Sequence, residues 1–234
     1  MSKSVVLSRS LKPEWLDMTL EFWLETHDPG QTRVRLNEYL SQHICSATVL
    51  RKTREILMHT WVDVDDSLRP LRDMGVSIFH SCPSRERIAI HWVMLIAVFP
   101  LFKDLCGTIG KLTSIQDEFT TSQITRRIFE LWGERTTLVH SLSKNMKTLK
   151  EFGAIHQRKP GFYERIRKPI CDERVIEFML YGMIKSGNKL YHSISEFERQ
   201  KELFAFEFES NFEHLNRSNL LKLDRVGGEL VVSI

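Results

Sequence analysis

With 234 residues, 42% of them hydrophobic and 27% charged, the chain has the make-up of a globular protein able to bury a sizeable core, which excludes the disordered and fibrous classes. A formal net charge of +3 is too small to attract a polyanion by itself, so any nucleic-acid contact has to come from a local patch. The four cysteines, at 45, 82, 106 and 171, form no CxxC pair, and the couples His43/Cys45 and His80/Cys82 lack the further ligands of a zinc site; reduced thiols, no metal and no cofactor are expected.

In the opening stretch, "MSKSVVLSRSLKPEW", VVL is too short for the apolar core of a signal peptide, which predicts a cytoplasmic protein. "PEWLDMTLEFWLET" reads as a helix with Pro13 in its first turn and Trp15, Leu16, Leu20, Trp23 and Leu24 at helical spacing, stopped by "DPG". Two more amphipathic helices follow, "QTRVRLNEYLSQHI" and, behind the capping residue Ser46, "SATVLRKTREILMHTWVD". Pro70, Gly75 and Pro83 divide 67–84 into a short helix and a loop. A long apolar helix is expected from Ser84 through "IAIHWVMLIAVFPLF", a run of about 15 residues and short of the roughly 20 that cross a bilayer, so no membrane contact is expected. Gly107 and Gly110 are expected to end it, and a domain boundary placed there separates a helical domain, 1–112, from a C-terminal region, 113–234.

Beyond the boundary, "TTSQITRRIFELW" predicts a helix capped by Thr121 or Ser122 with Ile124, Ile128, Phe129 and Leu131 as its apolar positions. Gly133 closes it, Thr136 or Thr137 caps the next helix, and Gly153 ends that one. "AIHQR", a Lys-Pro-Gly turn and "FYERIRKPI" then read as a hairpin. Helix, glycine turn, helix and basic hairpin is the order of a winged helix-turn-helix. The helix "DERVIEFMLYGMI" and the Gly-Gly hairpin in "LLKLDRVGGELVVSI" would complete a second small helix-plus-wing unit, with Phe197, Phe204, Phe206, Phe208 and Phe212 as its core. The expected fold class is mainly α: a helical N-terminal domain and a winged-helix-like C-terminal region with short β-hairpins.

Residues 120–170 hold eleven basic side chains against four acidic ones, a surplus of +7 that leaves the rest of the chain net acidic. Stepping about 100° per residue from Leu142 places Leu138, Val139, Met146 and Leu149 inward, within about 60°. Thr137, His140, Lys144 and Lys147 fall opposite, flanked by Ser141 and Thr148, with Glu151 at the far end. Hydroxyls, an imidazole and ammonium groups can approach base edges and phosphates in a major groove. Arg126, Arg127 and Arg135 on the helical side, and Arg158, Lys159, Arg165 and Arg167 in the wing, would hold the backbone. A lysine-bearing face is also the ordinary wet face of a surface helix, and a winged helix can serve protein contacts, so both alternatives stand beside DNA binding.

Two acidic groups raise the question of a metal-dependent nuclease: Asp172, Glu173 and Glu177, then Glu202, Glu207 and Glu209. The first reads better as the acidic opening turn of a helix, and the second alternates with phenylalanines as the wet side of a buried segment. "HLNRSN", 214–219, lacks a second histidine at nuclease spacing, and the phosphate-loop, dinucleotide, nucleophile-elbow and HExxH patterns are missing. Catalysis is not expected.

The blocks "SATVLRKTREIL", "ERIAIHWVMLIAVFPLFKDL" and "TSQITRRIFELWGERTTLVHSLSKNMKTLKEFGAI", with the small terminal hairpin, make the chain resemble the BrxA-like family of small proteins of bacterial BREX phage-defence systems. The resemblance implies a mainly helical, non-enzymatic protein that binds double-stranded DNA and supports a larger assembly of defence-system proteins. Its basic contacts would fall here on Arg126, Arg127, Lys144, Lys147, Arg158 and Lys159. Arg33, Arg35, Arg51, Lys52 and Arg54, from "QTRVR" and "LRKTR", offer a second basic surface. The alternative to DNA binding is an interaction module whose basic strip meets an acidic protein.

Overall fold

The first helices begin where a proline or an oxygen-bearing side chain can answer the open amides of a helix start. In this computed structural model, which describes residues 7–187, 191–208, 215, 218 and 220–234, α1 (Pro13–Thr26) and α2 (Pro29–Ser41) carry proline in the first turn. Asp28 caps α2 by accepting from the Gln31 amide at 2.7 Å, and Ser46 caps α3 (Ala47–Trp61). "DPG" therefore starts α2 as much as it stops α1. Pro70 likewise opens α4 (Arg69–Phe79), so the short helix expected within 67–84 takes up most of that segment. Gly75 is inside α4 because the rings of Trp61 and Phe178 come within 3.1 Å of where a Cβ would stand.

α5 (Arg87–Val98) is buried continuously from Ala89 to Ile96. The long helix predicted from Ser84 breaks at Pro100, which has no amide to donate, and α6 (Pro100–Thr113) leaves at 116°. No single helix among the described residues is long and apolar enough to cross a membrane. Gly107 and Gly110 do not end α6 but lie within it. A Cβ on Gly110 would stand 2.0 Å from the Lys201 carbonyl oxygen, so this glycine lets the 201–203 turn rest directly on the helix.

After α6 come β1 (Glu118–Thr120), α7 (Thr121–Trp132), α8 (Thr136–Glu151), β2 (Ile155–Lys159) and β3 (Phe162–Arg165), with an antiparallel sheet ordered β1-β3-β2. This is winged-helix order with α6 as the first helix. Beyond the wing, β4 (Lys168–Pro169) leads to α9 (Glu173–Ser186), β5 (Tyr191–Ser193), α10 (Ile194–Glu198), β6 (Phe206–Glu207), β7 (Lys222–Val226) and β8 (Glu229–Ser233). β4 pairs in parallel with β6, so Lys168 and Pro169 leave the wing, where the sequence had extended its second strand. β5, β8 and β7 form a second antiparallel sheet in the same relative order as the first, its hairpin turned by Gly227 and Gly228 at φ of 60° and 88°. Glu209, Phe212 and all of 214–219 except Leu215 and Ser218 lie outside the described residues.

The apolar core does not part at residue 112. One buried cluster runs from Leu7 to Val232, and Trp92 of α5 meets Phe102, Phe152, Phe204 and Phe206 at ring distances of 5.2 to 6.3 Å. α6, on the N-terminal side of the proposed boundary, packs against α7 and β1 and so belongs to the first winged unit.

Candidate nucleic-acid interface

The start of α7 is set by a reciprocal cap one residue earlier than predicted. Thr120 ends β1, its hydroxyl accepts from the Gln123 amide at 3.2 Å, and the Gln123 side-chain oxygen accepts from the Thr120 amide at 2.8 Å. The Thr121 amide then donates to the Gly161 carbonyl at 2.9 Å, tying the wing turn to this helix. Gly133, at φ of 77°, ends α7. α8 begins after Arg135 without a side-chain cap, which leaves Thr136 and Thr137 exposed in its first turn.

α8 divides into two halves along its length. Leu138, Leu142, Met146 and Leu149 face the core, and Thr137, His140, Lys144, Lys147, Lys150 and Glu151 face solvent. Three positions differ from the helical projection: Val139 is 45% exposed, whereas Ser141 and Thr148 are buried. The Ser141 hydroxyl turns back to the Thr137 carbonyl at 3.0 Å, and Thr148 is met by the segment ahead of α1. Leu7 and Leu11 are fully buried, the Leu11 amide donates to Thr148 Oγ1 at 2.9 Å, and Asn145 Nδ2 donates to the Leu7 carbonyl at 2.8 Å. That segment fills the flank of α8 that the sequence had left to solvent. The two leucines, four apart with Ser8, Arg9 and Ser10 between them, are the signal that could have shown it.

Lys144 and Lys147 have no acidic partner among the described residues, and Lys150 donates to the Gln157 side-chain oxygen at 2.7 Å, joining α8 to the wing. Lys159 lies 4.1 Å over the Phe162 ring and stays exposed. Arg158 behaves differently, because its Nε stands 2.8 Å from Glu164 and 3.6 Å from Glu118, so its charge is answered across the sheet. Arg126 is exposed on α7, Arg127 is half-buried with an unpartnered Nε, and Arg135 donates to the Trp132 carbonyl at 2.9 Å. Arg165 and Arg167 turn into a cleft that no residue of α8 lines.

The N-terminal basic set is largely engaged already. Arg33 bonds Glu55 at 2.5 Å and Asp63 at 2.7 Å; Arg35 pairs with Glu25 and stacks 4.5 Å over Phe22; Arg54 reaches Glu55 and Asn37, each at 2.8 Å. Burial raises the Glu55 carboxyl, but hydrogen bonds from Arg54 and Arg33 outweigh it and hold the pKa below the ordinary value. Of that set, Arg51 and Lys52 are exposed and the three others are half-buried.

Three of the acidic candidates are already engaged. Asp172 caps α9 through the Arg174 amide at 2.9 Å, Glu177 accepts from Ser218 at 2.5 Å, and Glu207 lies 3.9 Å from Arg167. Among the described residues, no group of three or more His, Cys, Asp and Glu is placed to hold a metal ion. His91, 1% exposed, accepts from Trp61 Nε1 at 3.1 Å, which makes its Nε2–H the donor to Asp17 at 2.8 Å and fixes it as a core polar link. No protein-family model, curated protein or solved structure matches the chain.

Proposed function

We propose that the protein is a non-enzymatic, double-stranded-DNA-binding accessory protein of a bacterial phage-defence system of the BREX type, working in the cytoplasm alongside other defence proteins. The reading rests on the outward half of α8. His140, Lys144, Lys147 and Lys150 share that half with one acid, Glu151, on the second helix of a helix-turn-helix followed by a wing. Lysines so placed reach phosphates, and Thr137 and His140, nearer the helix start, reach base edges. The wing adds Lys159 to the same task, while Arg158 contributes less because Glu164 holds it.

Phosphate binding of this kind releases counterions and weakens steeply with salt. Fluorescence anisotropy of a labelled duplex, titrated with salt, should show that dependence, and the pair Lys144→Glu and Lys147→Glu should weaken binding; unchanged affinity overturns the assignment of α8. A second reading, an interaction module that does not touch DNA, is supported by Leu131 and Val139, large apolar side chains 55% and 45% exposed beside the basic strip. It predicts no duplex binding at moderate salt.

A further inference from the structure

The cations that the α8 face leaves out converge elsewhere. Arg165 and Arg167, at the end of the wing, and Arg199 and Lys201, in the turn before β6, line one cleft of about 310 Å³, floored by the last turn of α6 at Gly110 and Thr113. We infer that this cleft is a binding site for a small phosphate-bearing anion, a nucleoside polyphosphate or a short polyphosphate chain. The proposal does not rest on the DNA reading, since the two sites share no residue of α8.

Charge is the first reason. Glu198 also lines the cleft, Glu207 stands 3.9 Å from Arg167, and Asp117 acts on Arg165 from farther off. Arg199 and Lys201 nevertheless make no side-chain ion pair among the described residues. Burial, and then the neighbouring Arg167, push the Arg165 guanidinium below its ordinary pKa. Like charges held close and partly desolvated are relieved by a bound anion, and guanidinium groups take phosphate oxygens two at a time.

Rigidity is the second. The Lys201 carbonyl rests on Gly110, and Trp92 Nε1 donates to the Glu202 carbonyl at 2.9 Å. On the other side the Lys168 amide donates to Ala205 O at 2.8 Å and the Ile170 amide to Glu207 O at 2.9 Å. Both walls are therefore fixed before a ligand arrives, which lowers the entropy lost on binding. The volume sits at the small end of ligand cavities, roughly 300–1,000 Å³, enough for a phosphate chain. Half-buried Phe208, packed on Phe197 at a ring distance of 5.0 Å, also lines the cleft and is the aromatic side chain there against which a base would lie.

The test is calorimetric titration of the full chain with sodium tripolyphosphate and, separately, with ATP. Saturable one-to-one binding is expected, weakened about ten-fold or more by the pair Arg199→Gln and Lys201→Gln and untouched by the pair Lys144→Gln and Lys147→Gln. Arg167→Gln, a single exposed change, is the second variant should the double one fail to fold by circular dichroism. Tighter binding of ATP than of tripolyphosphate, abolished by Phe208→Ala, assigns the anion to the nucleotides; equal binding assigns it to inorganic polyphosphates. No saturable binding of either anion, or binding that both cleft variants leave unchanged, overturns the proposal. So does a cleft variant that loses duplex affinity in a protein that binds neither small anion.

Discussion

The two winged-helix-like units share a strand order and differ in the surface they present. In the first, 120–170 carries eleven basic residues against four acidic, and a 16-residue α8 turns its polar half outward. In the second, 173–234 carries eight basic against ten acidic, α10, which follows β5 as the 12-residue α7 follows β1, has five residues, and the second sheet exposes Tyr191, Val226 and Leu230. One topology thus displays a cationic helix and a nearly neutral, partly apolar hairpin. Strand order decides which positions point outward; the residues at those positions decide what can bind.

The difference can be broken most forcefully at the place where the units are joined. Gly110→Ala would drive a Cβ into the Lys201 backbone, a contact no rotamer relieves, and is expected to cost about 3 kcal/mol in urea denaturation. A loss well under about 1 kcal/mol would show that the second unit is not clamped on α6. Charge reversal of Lys144 and Lys147 together is expected to lower duplex affinity about ten-fold or more and to flatten the salt slope by about two. The matched pair Lys222→Glu and Arg225→Glu in the terminal hairpin should change affinity less than about two-fold, and an equal effect from both pairs would erase the contrast between units.

Smaller effects sharpen the comparison at the two helix starts. Thr120→Ala removes the reciprocal cap of α7 and should lower the unfolding free energy by about 1 kcal/mol, read from the denaturation midpoint. Asp172→Asn keeps a capping side chain on α9 and removes only the charge that Arg174 holds by hydrogen bonds, which lower the Asp172 pKa. For this partly exposed pair the expected difference at neutral pH is about 0.5 kcal/mol. A lowered folded-state pKa means that this stability is present above the ordinary aspartate value of about 3.9 and disappears as pH falls through the lower value, so wild type and variant should converge in acid. A gap that persisted there would assign the effect to capping geometry instead.

Much of the fold was legible along the chain because its causes are local. Pro13, Ser46, Gly133, Gly153 and the Lys-Pro-Gly turn act within a few residues of themselves, and the helices and hairpins they delimit stand where expected. Glycines misled at 107 and 110, where they serve a close approach from residues almost a hundred positions away. On the candidate interface, Lys144, Lys147, His140 and Thr137 were placed correctly by helical periodicity, since a helix fixes the angle between its own side chains. Thr148, Arg158, Arg33 and Arg35 were not, because each depends on a partner that another element brings up: Leu11, Glu164 on the neighbouring strand, or an acid carried by another helix.

The chain by itself determined its helical character, the order of helix and hairpin in each unit, and a basic segment between residues 120 and 170, because periodicity, capping and composition are properties of neighbours. Tertiary structure decided that the two halves share one core around Trp92, that a leading strand of residues covers one flank of α8, and that Arg165 and Arg167 join Arg199 and Lys201 instead of the helix. Those outcomes are long-range contacts, and whether a charge is left open or answered depends on which distant side chain the folded chain brings beside it.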